Sequence, residues 1–362
     1  MSATQAAITD TTTATTTTAA GGAGHRKTAW QPLHPDVRPR LDPQYVKLHD
    51  EELQYFFPDH ERQWDPAIRQ GSPNTPLGLG PVAVGAVETF DLGLFQIRAF
   101  TPSTQGPSDS PRPGAGWPLF VWFHGGGFAL GDLGSDLDII TRICQESQCV
   151  VASIGYRLAP EHKYPASIED SVAALRWLLS PEDGVAKLGL DRTRFALGGA
   201  SAGALLAVSA ALHCAQDADP DVRPSLQVLI VPVVDNTAQP NGERWSVNGP
   251  TAPGLTPTRM LWYRNMWLNS PADALNWDAS VDRAPPELIA RLPPSFVAIA
   301  DQDLLAPEGE QFADLMAAAG VPVEKKIYKG CTHALLAYSG KMDKSKELLY
   351  DCVHRIRDAL HP

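Results

Sequence analysis

The stretch RFALGGASAGALLAVSAAL, residues 194–212, decides how this chain is read. An apolar run, Phe195 to Leu197, meets Gly198-Gly199, and Ser201 stands in the frame Gly199-Ala200-Ser201-Ala202-Gly203. A small-residue run with helical character follows. Strand, tight turn and helix in that order lift a serine Oγ above a sheet edge, where it can act as a nucleophile. The helix start adds free N–H groups and partial positive charge for a developing oxyanion. Gly, Ala and Ser are also common at ordinary helix starts. The frame therefore needs a base, an acid and an oxyanion site from elsewhere in the chain.

The surrounding pattern supplies a fold class. Apolar runs at 118–123, 149–156, 194–199, 226–234, 294–300 and 323–328 are bounded by turn residues. Continuous runs of this kind suit strands covered on both faces, as in a parallel sheet. Between them, 167–180 has helical spacing at Val172, Leu175, Leu178 and Leu179, and 307–320 at Phe312, Leu315 and Met316, with Gly320 as a stop. Alternating strand and helix predicts an α/β fold with a mainly parallel sheet. A strand pair, PVAVGAVETF and LFQIRAF, comes before it, and TPSTQGPSDSPRPGAG reads as a surface loop. The interval from about 236 to 290 carries Trp245, Trp262, Tyr263, Trp267 and Trp277 and is too long for an ordinary connection. It reads as an inserted lid over the carboxyl edge of the sheet, completed by the Pro- and aromatic-rich residues 30–80. Most of its aromatics are expected to pack its own core, with one or two facing a ligand.

Composition narrows the function. The 362 residues suit one large α/β domain with insertions, and 43% apolar content allows a sizeable core. The formal net charge of −11, with no basic block denser than His25-Arg26-Lys27, argues against a nucleic-acid partner. Cys144, Cys149, Cys214, Cys331 and Cys352 form no CxxC and read as free thiols of a reducing compartment. Cys331, two residues before His333, is a minor candidate to line a site. The Thr/Ala-rich start lacks the marks of a secretory or transit peptide and reads as a disordered tail. No run approaches the ~18 apolar residues of a membrane span, so a cytoplasmic protein without a stable membrane anchor is expected.

Three further motifs complete the chemistry. FHGGGF places Gly126 and Gly127 directly after a strand; their N–H groups and that of Ala202 would form an oxyanion hole. No Walker lysine or GxGxxG frame accompanies these glycines, which disfavours a nucleotide loop. His124 reads as a structural hydrogen-bonding residue. An acid after a late strand is offered by Asp301 or Asp303, and His333 follows the last strand. No HExxH or clustered Cys/His spacing suggests a metal.

With His124-Gly125-Gly126-Gly127, YRLAPEHKYPA at 156–166 and Gly199-Ala200-Ser201-Ala202-Gly203, the chain resembles the hormone-sensitive-lipase-like branch of the α/β-hydrolases over roughly residues 80–355. The resemblance implies an α/β-hydrolase fold with an eight-stranded, mostly parallel sheet flanked by helices. It implies a catalytic core over 81–235 and 286–362 and a lid from 29–80 plus 236–285, with the Thr/Ala-rich tail over 1–28 outside the resemblance. It also implies a Ser-Asp-His triad without metal or cofactor. The family's D-P-L-x-D-E-G segment fits DLLAPEG, which selects Asp303 over Asp301, so the triad is Ser201, Asp303 and His333. Arg157 and Glu161 would be architectural, pairing near the site. The chain departs from the family at Ala200, usually acidic, at Leu304, usually Pro, and at Ala334-Leu335, commonly Gly-Phe.

The expected function is hydrolysis of carboxylic esters with small or medium acyl chains. The partner is a small-molecule ester or acyl substrate, with a homodimer among the open assembly states. Non-hydrolytic use of the same site on a natural product (acyl transfer, lactone chemistry, elimination or cyclisation) is the alternative. A ligand receptor on a hydrolase fold ranks last, because such proteins typically lose the histidine and His333 is in place.

Overall fold

The computed structural model describes residues 28–70, 77–103, 116–216 and 222–362. The tail expected over 1–28 lies outside the described residues except for its last position, as does most of the loop expected over 101–116. Eight strands form one sheet: β1 Ala86–Asp91, β2 Gln96–Thr101, β3 Trp117–Phe123, β4 Val150–Gly155, β5 Leu190–Ala200, β6 Gln227–Ile230, β7 Ser295–Ala300 and β8 Val323–Tyr328. Their spatial order is β1-β2-β4-β3-β5-β6-β7-β8. β2 pairs antiparallel with β1 and β4, and every other neighbouring pair is parallel.

The pleat sorts side chains into two cores. On β3, Leu119, Val121 and Phe123 enter one cluster, while Phe120 and Trp122 enter the other. Successive strand side chains point to opposite faces, so a fully apolar strand must be covered twice. The main helices are α1 Pro43–Glu51, α2 Leu137–Ser147, α3 Ala166–Leu179, α4 Ala202–Cys214, α5 Pro257–Trp267, α6 Ala306–Ala318 and α7 Asp343–Leu360. Helices α3, α4 and α6 cover the first face, and α2 and α7 the second. Every residue of α4 from Ala202 to Leu212 is buried, which is why its sequence is apolar all round rather than striped. In α7, Leu348, Leu349, Cys352, Val353, Ile356 and Leu360 form the single buried stripe of a surface helix.

Three local expectations change. The run 226–234 yields a strand only to Ile230, because Val231 turns to φ 41° and Pro232 has no N–H for the ladder. β8 is an edge strand: Tyr328 alone in it is buried, and Glu324 and Lys325 face solvent. Exposed charge on an edge discourages pairing with another chain. Leu315 also lies outward, 39% exposed, while Phe312 and Met316 carry the contact of α6. Gly320, at φ 89°, ends that helix region as expected.

Two stability predictions follow from this packing. Phe120 is 0% exposed and lies 6.1 Å from the Trp122 ring. Phe120→Ala is expected to lower unfolding free energy by about 3–5 kcal/mol in a denaturant titration. Glu308, fully buried in the first turn of α6, accepts the N–H of Val234 and the indole N–H of Trp245, both at 3.1 Å. Burial pushes its pKa up to about 8 from the ordinary 4.5. Between those values the folded chain keeps a proton that the unfolded chain releases. Stability therefore falls as pH rises through this window, by up to about 1.4 kcal/mol per unit. Glu308→Gln should flatten that fall in urea titrations from pH 5 to pH 8; an unchanged slope would contradict it.

Candidate active site

β5 delivers Ser201 at its carboxyl end, and α4 leaves it. Ser201 adopts φ 56° and ψ −117°, a backbone conformation that costs a non-glycine residue about 1–3 kcal/mol. Hydrogen bonds hold it there: its N–H donates to Ile230 O at 2.9 Å, and its C=O accepts from Ala204 N at 3.1 Å and Val233 N at 3.2 Å. The flanking glycines make the turn sterically possible. A Cβ on Gly203 would fall 2.0 Å from Phe123 O, and one on Gly199 would fall 2.4 Å from the Gly203 backbone.

His333 comes from the loop after β8, and Asp303 from the turn between β7 and α6. His333 Nε2 lies 2.8 Å from Ser201 Oγ, and His333 Nδ1 lies 2.8 Å from Asp303 Oδ2. The structure thus brings Ser201, His333 and Asp303 into one hydrogen-bonded line. Asp301 instead accepts the N–H of Gly330 at 2.6 Å, which braces the His333 loop from behind. Asp303 is 1% exposed, whereas the His333 side chain keeps 18% of its surface accessible. With Nδ1–H donating to the buried carboxylate, Nε2 is left as the hydrogen-bond acceptor facing Ser201 Oγ.

The glycine loop after β3 faces this line. Gly126 has φ 113° and Gly127 φ 61°. Among the described residues, no protein acceptor takes the N–H of Gly126, Gly127 or Ala202. Gly127 has no room for a side chain, since a Cβ would lie 2.3 Å from the Tyr263 ring. His124 is buried and structural: Nδ1 donates to Gly125 O at 2.7 Å and the ring stacks on Tyr156 at 4.4 Å. Arg157 and Glu161 do not pair with each other. Arg157 forks onto Asp170 at 2.8–3.0 Å, while Glu161 is bound by Arg69. Cys331 packs in the second core, and burial pushes its thiol up to about 12, so it is inert and outside the cavity wall.

A cavity of about 350 Å³ opens over Ser201 and His333, and Ala200 contributes to its wall. A second, of about 630 Å³, adjoins it and shares Tyr45, Gly254, Arg259 and Tyr338. Residues 236–285 and the N-terminal residues 29–80 meet here: Trp64 and Trp262 rings lie 5.8 Å apart, and Arg40 bonds Thr251 at 3.1 Å. Trp245 and Trp267 are fully buried, Trp267 stacking on Phe128 at 3.7 Å, whereas Tyr263 lines the cavity. Sequence reasoning missed Asn248, whose amide donates to the carbonyls of Asp301 at 3.0 Å and Asp303 at 2.8 Å. It also missed Asp136, Arg259 and Arg264 in the cavity wall. Asn248 carried no local signal, because its partners lie more than fifty residues away.

Among the described residues, no group of three or more His, Cys, Asp or Glu side chains converges to hold a metal. No described helix is long and apolar enough to cross a membrane.

Comparison with known proteins agrees with this architecture. A family model for the alpha/beta hydrolase fold matches residues 120–337. An AB hydrolase superfamily protein of Schizosaccharomyces pombe is 31% identical over 332 residues, covering 90% of this chain and 96% of that protein. Esterase LipI of Mycobacterium tuberculosis is 32% identical over 244 residues, 67% of this chain and 73% of its own length. Carboxyl esterase 2 of Tuber melanosporum superposes with a TM-score of 0.73 at 25% identity, covering 89% of this chain and 100% of that structure. The chain belongs to the α/β-hydrolase family, in its hormone-sensitive-lipase-like, carboxylesterase-type branch.

Proposed function

We propose that this carboxylesterase-type hydrolase cleaves esters of small or medium acyl chains through Ser201, His333 and Asp303. The observation that carries this reading is the pair of 2.8 Å contacts linking serine, imidazole and carboxylate beside the N–H groups of Gly126, Gly127 and Ala202, which no described protein acceptor takes. His333 Nε2 takes the Ser201 proton as Oγ attacks the acyl carbon. Gly126, Gly127 and Ala202 N–H groups receive the oxyanion; one such donor is worth about 3–4 kcal/mol in the transition state. Asp303 holds the imidazole tautomer and stabilises the imidazolium. His333 then protonates the leaving alcohol. Water repeats the sequence on the acyl-enzyme, releasing the carboxylic acid and restoring the serine. In this reading the 29–80 and 236–285 segments form the lid, and the 350 Å³ cavity holds the acyl and alcohol groups beside the nucleophile.

A p-nitrophenyl ester chain-length series tests both nucleophile and acyl preference. Wild type should prefer short to medium acyl groups, and Ser201→Ala should lower kcat by about 10⁴-fold or more with little change in stability. Turnover by the alanine variant at wild-type rates would refute the assignment. A second prediction concerns the cavity wall at Ala200. Ala200→Asp restores a carboxylate next to the nucleophile and should change the pH profile or the substrate preference; if neither moves, the residue before the serine has no such role.

A further inference from the structure

Helix α5 turns an unusual face toward the cavity over Ser201. Arg259, Met260, Tyr263 and Arg264 all line it. Their spacing of i, i+1, i+4 and i+5 is one helical face. A face directed into a protein interior is ordinarily apolar, yet this one carries two guanidinium groups. Arg264 is 7% exposed; Nη1 donates to Ala238 O at 2.6 Å, and the group stands 4.7 Å over the Trp245 ring. Its Nε and Nη2 have no acceptor among the described residues. The acidic groups behind it are engaged elsewhere: Asp235 by Arg244 at 2.8 Å, and Glu308 by Val234 and Trp245. Arg259 donates to Gly254 O at 3.3 Å, forms a long ion pair with Asp59 at 3.4 Å and interacts with Tyr263, and it lines both cavities.

The opposite charge is scarce in this wall. Among the described residues Asp136 is the carboxyl that lines this cavity, where it accepts the indole N–H of Trp122 at 3.1 Å; the Asp59 partner of Arg259 belongs to the adjoining cavity. A guanidinium taken out of water without a full set of acceptors is costly, more so than a neutral donor. A buried Arg264 and a partly exposed Arg259 on one wall of a mostly apolar chamber are stabilised when a ligand brings a planar anion, because a carboxylate matches the guanidinium fork.

We infer that the cavity takes esters bearing a second, anionic group, a carboxylate, bound directly by Arg259 and favoured by the charge of Arg264. The substrate class is then half-esters of dicarboxylic acids or esters of carboxyl-bearing alcohols. This rests on the ester-hydrolase reading above and adds a substrate class to it. Tyr263 links the two parts of the site: its ring packs on Gly127 and lies 5.9 Å from the Arg259 guanidinium, so the anion end sits within one small substrate's length of the oxyanion loop.

Two matched substrate pairs test it, one for each side of the ester bond. p-Nitrophenyl hydrogen adipate is compared with p-nitrophenyl hexanoate for the acyl side, with spontaneous hydrolysis subtracted. 4-Acetoxybenzoate is compared with its methyl ester for the alcohol side. In at least one pair the charged member should have the lower KM, by at least about tenfold, the size of one charge-assisted hydrogen bond. Arg259→Met should erase that ratio. Arg259→Lys, which keeps the charge but loses the fork, should leave part of it, and serves if the methionine variant does not fold. Preference for the neutral member in both pairs, or equal effects of Arg259→Met on both members, would overturn the inference. Cleavage of the neutral esters without charge preference defeats only this inference, whereas no cleavage of any ester defeats the hydrolase reading itself.

Discussion

The left-handed backbone of Ser201 exists only because Gly199 and Gly203 let β3, β5 and α4 approach to contact distance. A single methyl at either glycine would overlap backbone atoms of the neighbouring element. That steric constraint aims Oγ out of the sheet and, in the same turn, leaves the N–H of Ala202 at the start of α4. The strain has to be held by what surrounds it. Helix α4, buried from Ala202 to Leu212, the fully apolar β3 and the bonds from Ser201 to Ile230, Ala204 and Val233 do this together. Stability of the core and the presentation of the serine are consequently one problem, since a loosened core would let the turn relax to an ordinary conformation.

The other two polar partners arrive by a different route. Asp303 and His333 sit on loops after neighbouring strands, β7 and β8, and backbone contacts set their spacing. Gln302 N bonds Cys331 O at 2.9 Å, and Asp301 holds the N–H of Gly330, so the two loops are tied before the histidine meets the aspartate. Asn248 clamps the aspartate turn from the 236–285 segment. The 236–285 segment and the Asp303 turn are thus mechanically joined, and a displacement of that segment would reach the turn through one amide side chain.

Much of the site was legible because glycine is demanded where backbones touch. Gly126, Gly127, Gly199 and Gly203 stand out in the sequence for the reason they matter in space. The buried strands were legible because a parallel sheet must be apolar on both faces. β8 was read correctly as a strand, but its exposed charges mark an edge position that local pattern does not declare. The cavity wall was harder. An arginine on a helix ordinarily faces solvent, so Arg259 and Arg264 gave no reason to look inward; that orientation follows only once α5 crosses the glycine loop. Asp136 and Asn248 were silent for a related cause. Their partners come from segments brought together by the fold, and no spacing in one stretch reports such a meeting.

Family membership sets the reaction class, but the residue that carries the acyl group is best tested by trapping it. The enzyme is mixed with a slowly deacylating ester, quenched in acid within the first turnover, digested and mapped by mass spectrometry. The acyl mass is expected on Ser201, appearing in step with alcohol release and vanishing as the acid product accumulates. Alcohol release with an unmodified Ser201, or an acyl group found on another residue, would contradict the account.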